Sequence, residues 1–321
     1  MRPIKTFGPA GDIHGEKARP DRHDSQHSGT WFAILAFGLW GILPVYWKLL
    51  AKVSPHEIVA HRVLWAWVFT GLVLVLRRRG RSLKTTLRDR PRMKRILLSG
   101  LLLAANWLIF ITAVNSGQVL QASLGYYINP LVSVVLGLVL LREKTNRTQR
   151  IAIVMAAVAV LLVTLHHGRF PWIALALALT FGFYGLVKKT GGVDPVIGLH
   201  LETLLVTPLA LCHLMFIQLS GNSAISTAPT VITPLLLSTG VVTAVPLLLF
   251  ARAAQSIPLS RVGFIQYLTP TCFFLLGRFV YREPVSTVQW ISFVLIWLAL
   301  TLYSWSPRRR NRDASQPARE D

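Results

Sequence analysis

His56, Glu57 and His61 come close to spelling a zinc-hydrolase motif. Two histidines that hold one zinc from a single helix must be four residues apart, as in H-E-x-x-H, so that both share a face. Here they are five apart, about 500° around a helix of 3.6 residues per turn, which leaves the rings roughly 140° off one another. The spacing argues against a metal site, and no cofactor or catalytic residue is expected. Glu57 and His61, four apart, are placed to pair. No G-x-x-x-x-G-K-[ST] occurs, so no nucleotide-driven pump is implied.

Arg62 and Glu202 carry more weight. Each lies several residues inside an apolar stretch, where a charge costs at least ~2.5–3.5 kcal/mol on insertion scales. Such residues face a bundle interior or a watery cavity, unless they snorkel to the interface. They are 140 residues apart, and that offset recurs. It pairs Ser116 with Ser256, Tyr127 with Tyr267, Pro130 with Pro270 and Gly137 with Gly277. It also pairs Arg142–Glu143 with Arg282–Glu283, and Gln149 with Gln289. An internal repeat dictates architecture before any helix is assigned.

The prolines mark the second group. Pro130 and Pro270 lack an N–H, which deprives the carbonyls of Tyr126 and Gln266 of their i+4 donors. In lipid such a carbonyl must find protein, water or substrate. Gly125, Tyr126, Tyr127 and Asn129 in one copy answer Gln266, Tyr267 and Thr269 in the other, with Asn106 and Trp107 in a neighbouring stretch. Together with His61, Arg62 and Glu202, these are the substrate-path candidates, and the prolines the helix-break or hinge candidates. The Arg-Glu dipeptides are read as structural, each Glu capping the following helix or pairing locally.

The elements that must position these residues follow from composition. Of 321 residues, 53% are hydrophobic and 15% charged, with mean hydropathy +0.50; soluble domains carry roughly 25% charged residues. The net charge of +21 lies between apolar runs rather than on one face, which makes it an orientation signal and excludes nucleic acid as a partner. Cys212 and Cys272 sit inside apolar stretches and imply no disulfide framework. Polar residues 1–29 read as a disordered tail, and 306–321 as a basic one.

Breaking the chain at charge clusters and turn residues predicts ten crossings near 30–50, 57–76, 95–115, 119–141, 149–166, 170–188, 195–217, 231–252, 258–281 and 286–305. Trp31, Trp47, Trp172, Trp290 and Trp305 fall at crossing ends, where indoles favour the headgroup level. Lys and Arg number five in the amino-terminal tail, ten between crossings two and three, four after the fourth and two after the sixth. The carboxyl tail adds five. The opposite loops carry few, which places both termini in the cytoplasm of a multi-pass cell-membrane protein. Five crossings fall in 30–166 and five in 170–305. Because five is odd, the second copy enters the bilayer inverted, as in many secondary transporters. Inversion sets Arg62 toward the outer mouth and Glu202 toward the inner one. A direct bridge between them is disfavoured, and a cavity with one charge of each sign would suit a zwitterion.

A Pro … Gly … Glu ending to the fourth helix of each half resembles the EamA-type drug/metabolite transporter superfamily. Gly41-Ile-Leu-Pro-Val-Tyr-Trp-Lys-Leu-Leu50, His56-Glu-Ile-Val-Ala-His-Arg-Val-Leu-Trp65, Ala105-Asn-Trp107 and Ser123-Leu-Gly-Tyr-Tyr-Ile-Asn-Pro130 resemble its RarD branch. The resemblance implies an all-α polytopic membrane protein of two inverted five-helix EamA repeats, an inner-membrane permease whose substrate the family name leaves undefined. Expected partners are a small-molecule substrate, a coupling ion and the lipid bilayer, with a homodimer left open. The competing readings are an intramembrane lipid-modifying enzyme and a regulatory membrane protein that transports nothing.

Overall fold

The computed structural model of the protein describes residues 22–166, 168 and 170–305. Among these, every regular element is helical. In chain order they are α1 (Arg22–Leu49), α2 (Pro55–Leu76), α3 (Gly80–Arg88), α4 (Arg90–Asn115), α5 (Val119–Val139), α6 (Arg147–His166) and α7 (Trp172–Gly191). The second half holds α8 (Pro195–Leu219), α9 (Ala224–Thr227), α10 (Ile232–Ser256), α11 (Leu259–Gln266), α12 (Leu268–Leu275), a π-helical turn over Leu276–Val280, and α13 (Thr287–Trp305). Among the described residues nine helices are long and apolar enough to cross a bilayer, and the chain is an all-α polytopic membrane protein.

Three expectations need correction. Helix α1 starts at Arg22, so the last eight residues of the tail predicted over 1–29 are helical. There a Cβ at Gly29 would come 2.5 Å from Ser256 Cβ, so α1 seats directly against the end of α10. The basic stretch between the second and third crossings is no plain loop, because it contains α3. Third, the matched prolines do not behave alike. Helix α5 runs unbroken through Pro130, whereas the stretch predicted as 258–281 is divided. Gln266 has no donor from Pro270, Tyr267 N–H turns back to Phe264 O at 3.2 Å, and the stretch ends in the π turn. One difference lies where the two helices cross. Pro130 O rests against Gly263, where a Cβ would meet it at 2.6 Å; the residue equivalent to Gly263 in the first copy is Ser123. Residues 1–21, His167, Arg169 and 306–321 lie outside the described residues.

Packing follows the repeat. Helix α4 lies on α7 as α10 lies on α1, α2 meets α10 as α8 meets α4, and α5 packs on α7 as α12 packs on α1. The pairs α2–α8, α5–α11 and α6–α13 join the halves across the pseudo-twofold axis.

The residues matched by the repeat have structural tasks. Arg142 and Arg282 both adopt left-handed backbone, φ 52 and 55, the conformation that ends a helix by turning the chain away. The N–H groups of Glu143 and Glu283 then reach back to Gly137 O (3.1 Å) and Gly277 O (2.9 Å). Gln149 and Gln289 close reciprocal capping boxes. Gln149 Oε1 accepts from Asn146 N while Asn146 Oδ1 accepts from Gln149 N; Ser286 and Gln289 repeat the exchange. Each box satisfies N–H groups that the first turn of a helix leaves open.

Candidate functional site

Helix α2 crosses α10 at a glycine. A Cβ on Gly240 would lie 2.2 Å from the Trp65 carbonyl carbon, so only Gly admits the backbones this closely. One turn along each helix, Arg62 faces Thr243, and Arg62 Nε donates to Thr243 Oγ1 at 3.0 Å. The guanidinium also lies over the Trp47 ring at 4.9 Å and the Trp107 ring at 5.6 Å. Indoles attract such a cation through their negative faces.

Arg62 lines a cavity of about 420 Å³ built by both halves. Repeat-equivalent positions both line it, Tyr126 with Gln266 and Asn129 with Thr269. Asn106 is also there, its Nδ2 donating to Leu177 O at 3.0 Å and Thr180 Oγ1 at 2.9 Å. Tyr126 stands edge-on to Phe273, ring centroids 5.0 Å apart. Asn129 Oδ1 is buried without a hydrogen-bond partner among the described residues. The walls reach Ala51, Val53 and Pro55 in the α1–α2 turn and Val114 near the end of α4, so the cavity opens at the end opposite the basic α2–α4 stretch.

The basic end is shut in layers. Phe37, Trp40, Phe181, Phe250 and Tyr184 stack below the cavity with centroids 5.1 to 6.0 Å apart. Beneath them is Glu202, 2% exposed. It pairs with Lys188 Nζ at 2.5 Å and accepts from Ser99 Oγ at 2.5 Å and Tyr184 OH at 3.3 Å. Apolar Leu74, Ile96, Val196, Ile197 and Leu201 pack at this end. Nearer the helix ends, Glu143 accepts from Leu259 N (2.6 Å), Ser260 N (2.9 Å) and Ser260 Oγ (2.5 Å). Lys189 Nζ donates to Ile257 O, Gln255 Nε2 to Val193 O, and Arg79 bridges Asp194.

Of the substrate-path residues singled out from sequence, Arg62, Asn106, Trp107, Tyr126, Asn129, Gln266 and Thr269 line the cavity. The others do not. Glu202 is sealed beneath it, which removes the second charge expected there. His61 is buried outside it, with Nδ1 accepting from Trp65 Nε1 at 3.1 Å and Nε2 4.0 Å from Glu57. Tyr127 packs on Phe293, and Tyr267 is buried with its hydroxyl unpartnered. Pro130 and Pro270 stand behind the lining. Glu143 caps α11, in the other half, rather than the helix that follows it. Two residues took more telling places than their spacing indicated. Trp47, read as a membrane-interface anchor, flanks Arg62; Lys188, read as a loop charge, is buried against Glu202. Thr243 and Ser99 carry no signal of their own. The glycines beside them do, because Gly100 and Gly240 are also 140 apart.

The fold and site thus define a multi-pass membrane protein with one half-open cavity between two repeated halves. The model of the EamA-like transporter family matches the chain twice, over residues 27–165 and 171–305. The chain belongs to that family. It is 43% identical to the uncharacterized transporter YojE of Bacillus subtilis, over 89% of this chain and 96% of that one. It is 40% identical to the protein RarD of Escherichia coli, over 86% and 93%, which sets it among the RarD-type members. A solved crystal structure superposes with a TM-score of 0.67 at 19% identity, covering 86% of this chain and 97% of the other, and so shares the fold.

Proposed function

We propose that this protein is a secondary transporter of a small molecule, working by alternating access without ATP. The observation that carries this is the cavity lined by both repeats, open at one end and shut at the other by successive aromatic, ionic and capping layers. Its family and its transporter-named relatives support the same reading. We read α11, α12 and the π turn as one more crossing, which makes ten and puts both termini on one side. The Lys and Arg excess makes the shut end cytoplasmic, so the described state faces outward.

The repeat supplies the exchange. Glu143 holds the first turn of α11 at the shut end, and its equivalent, Glu283, is exposed at the open end with no side-chain hydrogen bond among the described residues. In the opposite state Glu283 would cap the start of α5, as inversion requires, and Glu143 would release α11. An enzyme would need reactive groups gathered at one place, whereas Arg62, His61 and Glu202 lie in three separate settings. Proteoliposomes loaded with a labelled candidate substrate test the proposal. Saturable counterflow that needs no nucleotide is the expected result, and permeability equal to protein-free liposomes across a broad metabolite library would overturn it.

A further inference from the structure

The cavity contains one charge. Among the described residues, Arg62 is the only ionisable acid or base that lines it apart from the Tyr126 phenol, and no carboxylate lies within salt-bridge reach of it. A guanidinium carries five N–H donors. Here Nε is spent on Thr243, and among the described residues the Nη groups donate to no protein acceptor. A cation held at membrane depth normally has a counter-charge, and Glu202, the one acid at the equivalent place, is already neutralised by Lys188 behind the aromatic floor. The flanking indoles of Trp47 and Trp107 take up ring-facing contacts, which leaves an N–H edge suited to a planar, two-oxygen acceptor.

We infer, on the transporter reading above, that the substrate is a monovalent organic anion, a carboxylate with an aromatic or branched apolar body. One fixed positive charge balances one negative charge. A zwitterion would bury its ammonium against an apolar wall with no acid to receive it, and a cation would meet Arg62 as a like charge. Apolar Trp40, Leu43, Phe110, Phe181 and Phe273 supply much of the remaining lining, which sets the body. The volume of about 420 Å³ lies in the range of small-ligand sites, ~300–1,000 Å³.

The test uses the purified full-length chain in detergent with a panel of arylalkanoates and alkanoates. Each is accompanied by its amide, its amine and the corresponding α-amino acid, and binding is read by calorimetry and by thermal stabilisation. At least one carboxylate should bind roughly tenfold or more tightly than its amide, amine and amino-acid counterparts. Arg62→Gln should erase that preference, and Arg62→Lys should keep part of it, since a point charge lacks the planar fork. If Arg62→Gln does not fold, the wild-type carboxylate-to-amide ratio still decides. Binding of none of the carboxylates, equal binding of an amide, amine or amino acid, or undiminished carboxylate binding by folded Arg62→Gln would each overturn the inference. Counterflow in liposomes separates the two claims. Arg62-dependent binding without flux sinks the transporter reading and keeps the anion site, whereas flux of a neutral or cationic compound without carboxylate binding does the reverse.

Discussion

Arg62 and Glu202 occupy equivalent places in the two repeats, yet they do opposite work. Each sits on the second long helix of its half, next to a crossing with the other half's third long helix. At the first crossing Gly240 lies under Trp65, and Arg62 is bonded to Thr243, three residues past the glycine. At the second, a Cβ on Gly100 would sit 3.2 Å from a Leu205 methyl and 3.4 Å from Glu202 Cα, and the bond runs to Ser99, one residue before the glycine. The bonded positions, Thr243 and the equivalent of Ser99, Thr239, are four residues apart, one turn of helix. The two crossings therefore differ in register by a turn. One register sets its charge on the wall of the cavity, and the other buries its charge in a closed ionic cluster. A pair of near-identical joints set in different positions is what one half open and the other shut requires.

The largest expected effect breaks the buried side of this comparison. Lys188→Met alone should destabilise the protein by ~3–5 kcal/mol, because it strands a buried carboxylate. Adding Glu202→Leu should recover most of that loss, read by unfolding in detergent. Arg62→Gln should cost less, about 1–2 kcal/mol, since the half-buried residue gives up one hydrogen bond and two indole contacts but strands no ionic partner among the described residues. If Arg62→Gln proves as destabilising as Lys188→Met, the division into a cavity-lining working charge and a sealed structural one is wrong.

The glycines come next. Gly240→Ala should cost ~1–3 kcal/mol or more by forcing backbone apart. Gly100→Ala meets a flexible Leu205 end and gains helix propensity worth about 1 kcal/mol, so it should be close to neutral. Equal losses in thermal midpoint at the two sites would remove the register difference.

Smaller in stability but sharper in function are the caps. Glu143→Gln should lower stability by ~1–2 kcal/mol and raise the reactivity of a cysteine placed at Ser99 toward a thiol reagent in a background with Cys212 and Cys272 replaced. Glu283→Gln should leave that labelling and the melting point unchanged while slowing counterflow. Identical behaviour of the two variants would end the idea of exchanging caps.

The smallest change is at the prolines. Pro270→Ala returns an N–H to the Gln266 carbonyl and should join α11 to α12, shifting labelling between the two mouths. Pro130→Ala, in a helix already continuous, should shift it less, with both within about 1 kcal/mol of wild type. A larger effect from Pro130 would restore the symmetric hinge expected from sequence alone.

What could be read without coordinates was whatever repeats or whatever lipid forbids. Apolar length and basic asymmetry are set by the solvent, so the polytopic all-α class and most helix bounds were legible to within a few residues. The offset of 140 marked the Arg-Glu dipeptides and paired Gln149 with Gln289, and depth in an apolar stretch marked Arg62 as a charge that needs a cavity. Symmetry in the letters could not show which half stands open, because two inverted copies share one pattern while a single state must treat them differently. Hence Glu202 looked like a cavity residue and Lys188 like a loop charge until packing put them together. Trp47 looked like a belt residue until packing set its ring against Arg62. The break at Tyr267 has the same origin. Pro130 and Pro270 are the same residue at matched positions, and only the neighbours that press on each helix determine which one yields.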